Sequence, residues 1–314
     1  MNIDPTQTAF LFPGQGSQAV GMGNELARSF SCARRIFEQA DVLLGFPLSR
    51  LAWEGPEDEL NDTINTQAAL LVHSVAALSV FRERYPSFQP AFVAGHSMGE
   101  LSALVGAQAL TFEQALRLAR KRGELMKQAG TVSPGGMAAV LGMDLPILER
   151  ICAEASQKGQ AVQIANDNCP GQVVISGASS ALGLALQLAR EAGARKIRPL
   201  AVSIAAHSPL MEHVQMAFNE VVENTPITEP LVPLIGNVTA RPLTSAAEIK
   251  ADLQAQLTSM VRWSESVREI IAQGVRTFVE IGSGSVLTGL VKRIDPQVAG
   301  ISLGTALDFE KLDL

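Results

Sequence analysis

The chain has 314 residues, 47% hydrophobic and 18% charged, with a net charge of −6; that length holds one large α/β domain or two smaller ones, and the composition excludes a disordered chain. The acidic balance offers nucleic acid no general attraction, so an anionic partner has to meet a local basic patch. Three scattered cysteines (Cys32, Cys152, Cys169) make neither a disulfide framework nor a metal cluster, and Met1 to Pro5 lacks the basic and apolar run of a signal peptide. No segment is expected to be apolar for long enough to span a bilayer, so the expectation is a cytoplasmic protein without membrane contact.

In chain order, residues 8–12 form an apolar run that reads as a buried strand. Phe12-Pro13-Gly14-Gln15-Gly16-Ser17-Gln18 follows, a glycine-dense turn that either cradles a phosphate or simply reverses the chain. Residues 67–84 have a helical pattern with His73 on the apolar stripe, the place of a core histidine. Residues 92–94 are a second strand and run into Gly95-His96-Ser97-Met98-Gly99. Helix is predicted over 112–128, opened by the capping box Thr111 to Gln114. The middle of the chain alternates strand 136–143, helix 146–155, strands 162–165 and 172–177, helix 181–192 and an extended run 196–202. That βαββαβ order is the ferredoxin-like pattern, entered through a linker at 131–136. A helix over 209–222 and strands at 233–235, 277–281 and 298–303 complete the alternation. The fold class is therefore α/β: an α/β-hydrolase-like parallel sheet over 1–132 and 204–314, with a ferredoxin-like subdomain inserted at 133–203. Gln15, Ser97 and Gly282 fall at the carboxyl ends of strands, where ligands gather on such folds.

The Gly-x-Ser-x-Gly corner is either a glycine-rich turn with an incidental serine or a nucleophile elbow. In the second case Ser97 stands at a helix N-terminus, whose N–H groups stabilise an oxyanion, and the Gln15 amide is placed to orient a bound acyl group. Four histidines are candidates for the base. His96 is expected to point away across the corner and His213 to be solvated. His207 precedes Ser208-Pro209, an N-cap and N1-proline pair, and so reads as a loop residue held by a helix start: a base or an ordinary surface histidine. Arg122 breaks its helix pattern. Glu113–Arg117 and Arg120–Glu124 suit a solvated face, whereas Arg122 lies on the apolar stripe with Leu118, Ala119, Leu125 and Met126. A guanidinium there meets a protein carboxylate, a ligand carboxylate, or water beyond its aliphatic stem.

Five motifs in order, FPGQGSQ at 12–18, GHSMGE at 95–100, RG-x-LM at 122–126, N-x-N-x-PGQVVISG at 166–177 and HSPLM at 207–211, resemble the malonyl-CoA:acyl-carrier-protein transacylases, and also the acyltransferase domains of polyketide synthases. The resemblance runs from Thr8 to Ile294. It implies that Ser97 is the nucleophile, His207 its base, and the backbone N–H groups of Gln15 and Met98 the oxyanion hole. It further implies that Arg122 pairs with the malonyl carboxylate and that the Gln256 backbone carbonyl orients His207. Asn166 and Asn168 match residues near the substrate entrance. The implied reaction is a ping-pong transfer of malonyl from coenzyme A to the phosphopantetheine thiol of a holo acyl carrier protein, in fatty acid or polyketide synthesis. No cofactor or metal is implied, coenzyme A being part of the substrate, and the enzyme is expected to be a monomer. Lys121, Arg195, Lys196 and Arg198 are either solvated charges or contacts for an acidic carrier.

Two positions depart from the common pattern. Ala206 stands where malonyl-selective members have a phenylalanine or serine, and Met98 replaces leucine. The smaller Ala206 leaves methylmalonyl tolerance open. The rival readings are a serine thioesterase or hydrolase on the same elbow and a non-catalytic carrier-docking subunit.

Overall fold

The computed structural model describes residues 3–156, 160–200, 202 and 204–312. The main sheet has the order β10 (Ala299–Leu303), β9 (Thr277–Ile281), β1 (Thr8–Phe12), β2 (Phe92–Gly95), β7 (Leu234–Ile235) and β8 (Pro242–Leu243). All of its pairings are parallel except β7 with β8, a short antiparallel edge. Every residue of β1 is buried, as a central strand with helices on both faces requires. Phe10 is paired with Val93 on one side and Val279 on the other.

Helix Thr63–Arg84 starts where the Asp62 carboxylate accepts from the Ile64 N–H and runs through the core. It corrects the expectation about membrane spans. By length and composition this helix is apolar enough to cross a bilayer, yet 83% of its most apolar window is buried inside the protein. Its hydrophobicity is that of a helix surrounded by other helices. The region between Asn24 and Leu60, unassigned from the sequence, folds as four short helices that cover its outer side.

The second sheet is antiparallel, in the order β4 (Val162–Cys169), β5 (Gln172–Ala178), β3 (Gly135–Leu141) and β6 (Lys196–Pro199). With its helices Leu145–Ala155 and Ser179–Glu191 it has the ferredoxin-like order and its own core around Val140, Leu148, Ile175 and Ala185. Helix Phe112–Val132 outlasts its expected end, leaving Ser133-Pro134 as the connection into β3. The extended run expected over 196–202 contains residue 201, and the proposed boundary residue 203 likewise lies outside the described residues. Strand β4 is longer than the apolar signal at 162–165. It continues through Asn166-Asp167-Asn168 to Cys169, with register shifts at Ile164/Asn166 and Asp167/Cys169. Those residues are buried because the end of β4 is stitched to the main domain: Val261 N–H donates to Ala165 O at 2.8 Å and Asp167 N–H to Val261 O at 3.0 Å.

Candidate active site

The corner after β2 is as tight as glycine allows. A Cβ on Gly95 would lie 2.0 Å from the Gly99 backbone, and one on Gly99 would lie 2.2 Å from Phe12 O. Ser97 itself takes φ 52°, a left-handed conformation costly for an L-residue. Asn237 holds it there, its Oδ1 accepting from the Ser97 N–H at 2.7 Å and its Nδ2 donating to Gly95 O at 2.8 Å. Asn237 is placed in turn by its own N–H donating to Asp252 Oδ2 at 3.0 Å. Helix Gly99–Gly106 then leaves with Met98 at its cap. Among the described residues the backbone N–H groups of Gln15 and Met98 have no hydrogen-bond partner.

Ser97 Oγ lies 2.8 Å from His207 Nε2. His207 Nδ1 is 2.9 Å from Gln256 O and 3.2 Å from Ser259 O. Carbonyls only accept, so Nδ1 carries the hydrogen and Nε2 presents a lone pair to the serine O–H. Burial, followed by the Arg122 charge, pushes the imidazole down to about 3, with the carbonyls opposing. The ring is therefore neutral at neutral pH, its Nε2 lone pair free to accept a proton. Its backbone is strained, with φ 56°, and is anchored where Gln163 Nε2 donates to His207 O at 2.8 Å.

Arg122 is 1% exposed. It donates from Nη1 to Gln67 Oε1 at 2.9 Å and from Nη2 to Gln256 Oε1 at 2.8 Å, and Nη2 is 3.0 Å from Ser97 Oγ. Each of these partners is neutral, and burial lowers the guanidinium to about 10, with Glu100 opposing. Of the three options left by the sequence, water is removed by this burial. The pairs Glu113–Arg117 and Arg120–Glu124 lie on the exposed face of the same helix.

Ser97, His207 and Arg122 meet in a cavity of about 290 Å³ lined also by Gln15, Met98, Asn166 and Ala206, with apolar walls from Met126, Met137, Leu200, Val202 and Ile204. Asn168 does not reach this cavity. It sits behind the corner, its Oδ1 2.8 Å from His96 Nε2, and His96 packs edge-on to Trp263. Gly282 is also outside the cavity, where a Cβ would lie 2.4 Å from Ser74 Oγ and 3.2 Å from Pro13. His73 is buried with Nε2 2.8 Å from Gly304 O, and His213 is exposed. Sequence reasoning found the Gln256 carbonyl but not its side chain, whose Nε2 donates to Ser97 O and to Glu100 Oε2. It also missed Asn237, Asp252 and Gln163, ordinary polar residues far from the motifs they serve.

A parallel sheet with a serine–histidine pair on a strand-to-helix elbow defines an α/β-hydrolase-like protein. The acyl transferase domain family matches residues 9–305, and the chain belongs to that family. The malonyl CoA-acyl carrier protein transacylase of Bacillus subtilis is 47% identical over 95% of this chain and 93% of its own. That of Haemophilus influenzae is 41% identical over 97% of both. An acyl carrier protein S-malonyltransferase from Vibrio cholerae superposes with a TM-score of 0.94 at 40% identity, covering 98% of this chain and all of that one. A malonyl-transacylase solved with its type II polyketide acyl-carrier protein superposes at 0.93 with 40% identity, over 97% of this chain and 98% of that one.

Proposed function

We propose that this acyltransferase is a malonyl-CoA:acyl-carrier-protein S-malonyltransferase. The observation that carries this reading is the buried Arg122, with neutral partners only, 3.0 Å from Ser97 Oγ. A carboxylate two bonds beyond a thioester carbonyl at Ser97 finds its counter-ion there, and a bidentate guanidinium fixes its plane.

Ser97 Oγ attacks the thioester carbonyl while its proton passes to His207 Nε2. The tetrahedral oxyanion falls to the N–H groups of Gln15 and Met98, donors of a kind that contribute roughly 3–4 kcal/mol. Coenzyme A leaves as its thiol, taking the proton from His207, and malonyl remains as an ester on Ser97. In the second half-reaction His207 takes the proton of the carrier's phosphopantetheine thiol, which attacks the ester and restores the serine. Both ends of the exchange are thioesters, so the enzyme has to lower barriers and keep water from the ester. The apolar walls of the cavity and the Arg122 clamp serve the second need, which favours transfer over hydrolysis. The reaction requires no resident cofactor. We place the enzyme in the cytoplasm, as a monomer, supplying malonyl units to fatty acid or polyketide assembly. Ala206 on the cavity wall supports a second reading, tolerance of a methylmalonyl group, because one pocket methyl is worth only about 1–3 kcal/mol.

Intact-protein mass after brief exposure to malonyl-CoA tests the proposal. The expected result is a malonyl adduct on the wild type, absent from Ser97→Ala and weakened in Arg122→Ala. Hydrolysis of malonyl-CoA without carrier at the rate of transfer would instead make the protein a thioesterase, and equal specificity constants for methylmalonyl-CoA would end strict malonyl selectivity.

A further inference from the structure

Glu100, in the first turn of helix Gly99–Gly106, is fully buried, and the mechanism above does not use it. Its Oε2 accepts one hydrogen bond, from Gln256 Nε2. No donor meets its Oε1, and the side chain lies within hydrogen-bonding reach of the Asp252 carboxyl. Asp252 is much better supplied. Its Oδ2 takes the N–H groups of Asn237 and Val238 at 3.0 and 3.3 Å, and its Oδ1 takes the N–H and hydroxyl of Thr239 at 3.1 and 3.2 Å. Two buried carboxylates in contact repel, whereas one shared proton turns the contact into a strong hydrogen bond. Donor supply puts the shared proton on Glu100, which has a single donor to accept from, against four at Asp252. The charged groups facing Glu100 are Asp252, from helix Ala246–Gln256, and Arg122, from helix Phe112–Val132. Burial and then Asp252 raise its pKa well above the usual carboxylate range, and the Gln256 hydrogen bond and the Arg122 charge oppose without reversing them.

We propose that Glu100 is a positioning residue that works as a neutral acid, donating its proton to Asp252 and accepting from Gln256, and so ties three parts of the site together without neutralising Arg122. The first part is the Ser97 corner, three residues before Glu100 and just ahead of its helix. The second is the loop at Asn237, which Asp252 holds by its N–H groups and which brings Asn237 to the Ser97 N–H. The third is Gln256, whose carbonyl orients His207 and whose amide oxygen receives Arg122. An ionised Glu100 would give Arg122 a permanent counter-ion; the acid leaves that charge for the substrate. The last point rests on the malonyl reading, while the protonation state does not.

The test is an infrared difference spectrum together with Glu100→Gln. Glutamine reproduces the arrangement, its amide N–H donating where the acid O–H does and its oxygen accepting from Gln256. The wild type is expected to show the carbonyl band of a buried protonated carboxyl at neutral pH, missing from Glu100→Gln. Acylation of Glu100→Gln by malonyl-CoA is expected within about threefold of wild type, and that of Glu100→Leu, of similar size without either hydrogen bond, about tenfold or more below it. No such band overturns the proposal, as does a tenfold loss in Glu100→Gln or a Glu100→Leu enzyme acylated like the wild type. Glu100→Gln decides the matter by itself if the leucine variant does not fold. Failure of the wild type to take malonyl at all would sink the substrate reading and leave the infrared result standing.

Discussion

Two strand-to-helix corners of the main sheet are built from nearly the same residues and do opposite things. After β2 the chain reads Gly95-His96-Ser97-Met98-Gly99; after β9 it reads Gly282-Ser283-Gly284-Ser285. At the second corner glycines carry the left-handed angles, with φ 129° at Gly282 and 81° at Gly284, and the Ser283 hydroxyl donates to Ser17 O at 2.6 Å. Its helix, Val286–Ile294, has its N-terminus filled. Glu280 accepts from the Leu287 and Thr288 N–H groups at 3.0 and 2.8 Å, a carboxylate on the positive end of a helix. At the first corner the serine carries the strain, its hydroxyl faces a base and a cation, and the Met98 N–H beside it is free. One corner satisfies its own dipole. The other leaves the Met98 N–H unfilled, open to the oxyanion of the proposed reaction, and leaves Arg122 for the acyl carboxylate.

Removing the base separates the corners most. His207→Ala is expected to slow acylation by about 10²–10⁴ in single-turnover measurements, whereas Ser283→Ala leaves the rate unchanged. A loss of less than tenfold for His207→Ala would mean that the Ser97–His207 pair is not the reacting pair.

Arg122→Met comes next. Loss of a charge-assisted pair to the acyl carboxylate lowers kcat/KM for malonyl-CoA by about 10–100-fold. The same change should move the acid limb of the pH profile upward, since the Arg122 charge helps hold His207 down to about 3. In the wild type His207 stays unprotonated as the pH falls through its ordinary 6.5, so acylation should hold its rate well below pH 6. Stability follows the opposite course. The unfolded chain protonates that histidine near 6.5 while the folded one does not, so acid favours the unfolded state and stability declines as the pH falls from 6.5 towards 3. An acid limb that stays put in Arg122→Met would remove Arg122 as a cause of the depressed basicity.

The three residues at the centre of the cavity were legible in the sequence for a specific reason: each breaks a local rule. Ser97 sits between glycines where a strand must become a helix, Arg122 is a charge on an apolar stripe, and His207 precedes a helix-starting serine–proline pair. The resemblance then gave these irregularities roles. Asn237, Asp252 and Gln163 break no local rule. They act through backbone groups more than 40 residues away or through loops of no distinct pattern, and only the folded chain brings them to the elbow. Strand β4 extends beyond its apolar signal for a related reason, because Asn166-Asp167-Asn168 is polar in sequence and buried where the strand end meets Val261 and His96. The edge strand β8, two residues long, carries too little periodicity to be read from sequence, whereas β7 falls inside the apolar run at 233–235.

Glutamine scanning at the two buried glutamates gives a smaller effect with opposite outcomes. Glu280 uses both oxygens as acceptors, so in Glu280→Gln an amide N–H faces backbone N–H groups and about 1–3 kcal/mol of stability is lost, read from denaturant midpoints. Glu100→Gln should melt near the wild type, because there the amide N–H replaces an acid O–H. Equal losses at the two sites would mean that both glutamates are ionised.

The smallest effect isolates the strain. Ser97→Ala and Ser97→Gly both remove the hydroxyl from His207 and Arg122, so they differ only in the Cβ carried at φ 52°. Left-handed backbone costs an L-residue about 1–2 kcal/mol. The greater freedom of unfolded glycine returns roughly 0.5–1 kcal/mol of that, so Ser97→Gly should be the more stable variant by up to about 1.5 kcal/mol. Gly284→Ala adds the same Cβ at φ 81°, with no atom nearer than 3.9 Å, and should lose stability by a similar amount for the same reason. Denaturant midpoints for these three variants measure the strain at the two corners directly. If the Ser97 variants unfold at the same midpoint while Gly284→Ala is destabilised, the serine corner is held by Asn237 at no cost to the fold, and strain plays no part in presenting the nucleophile.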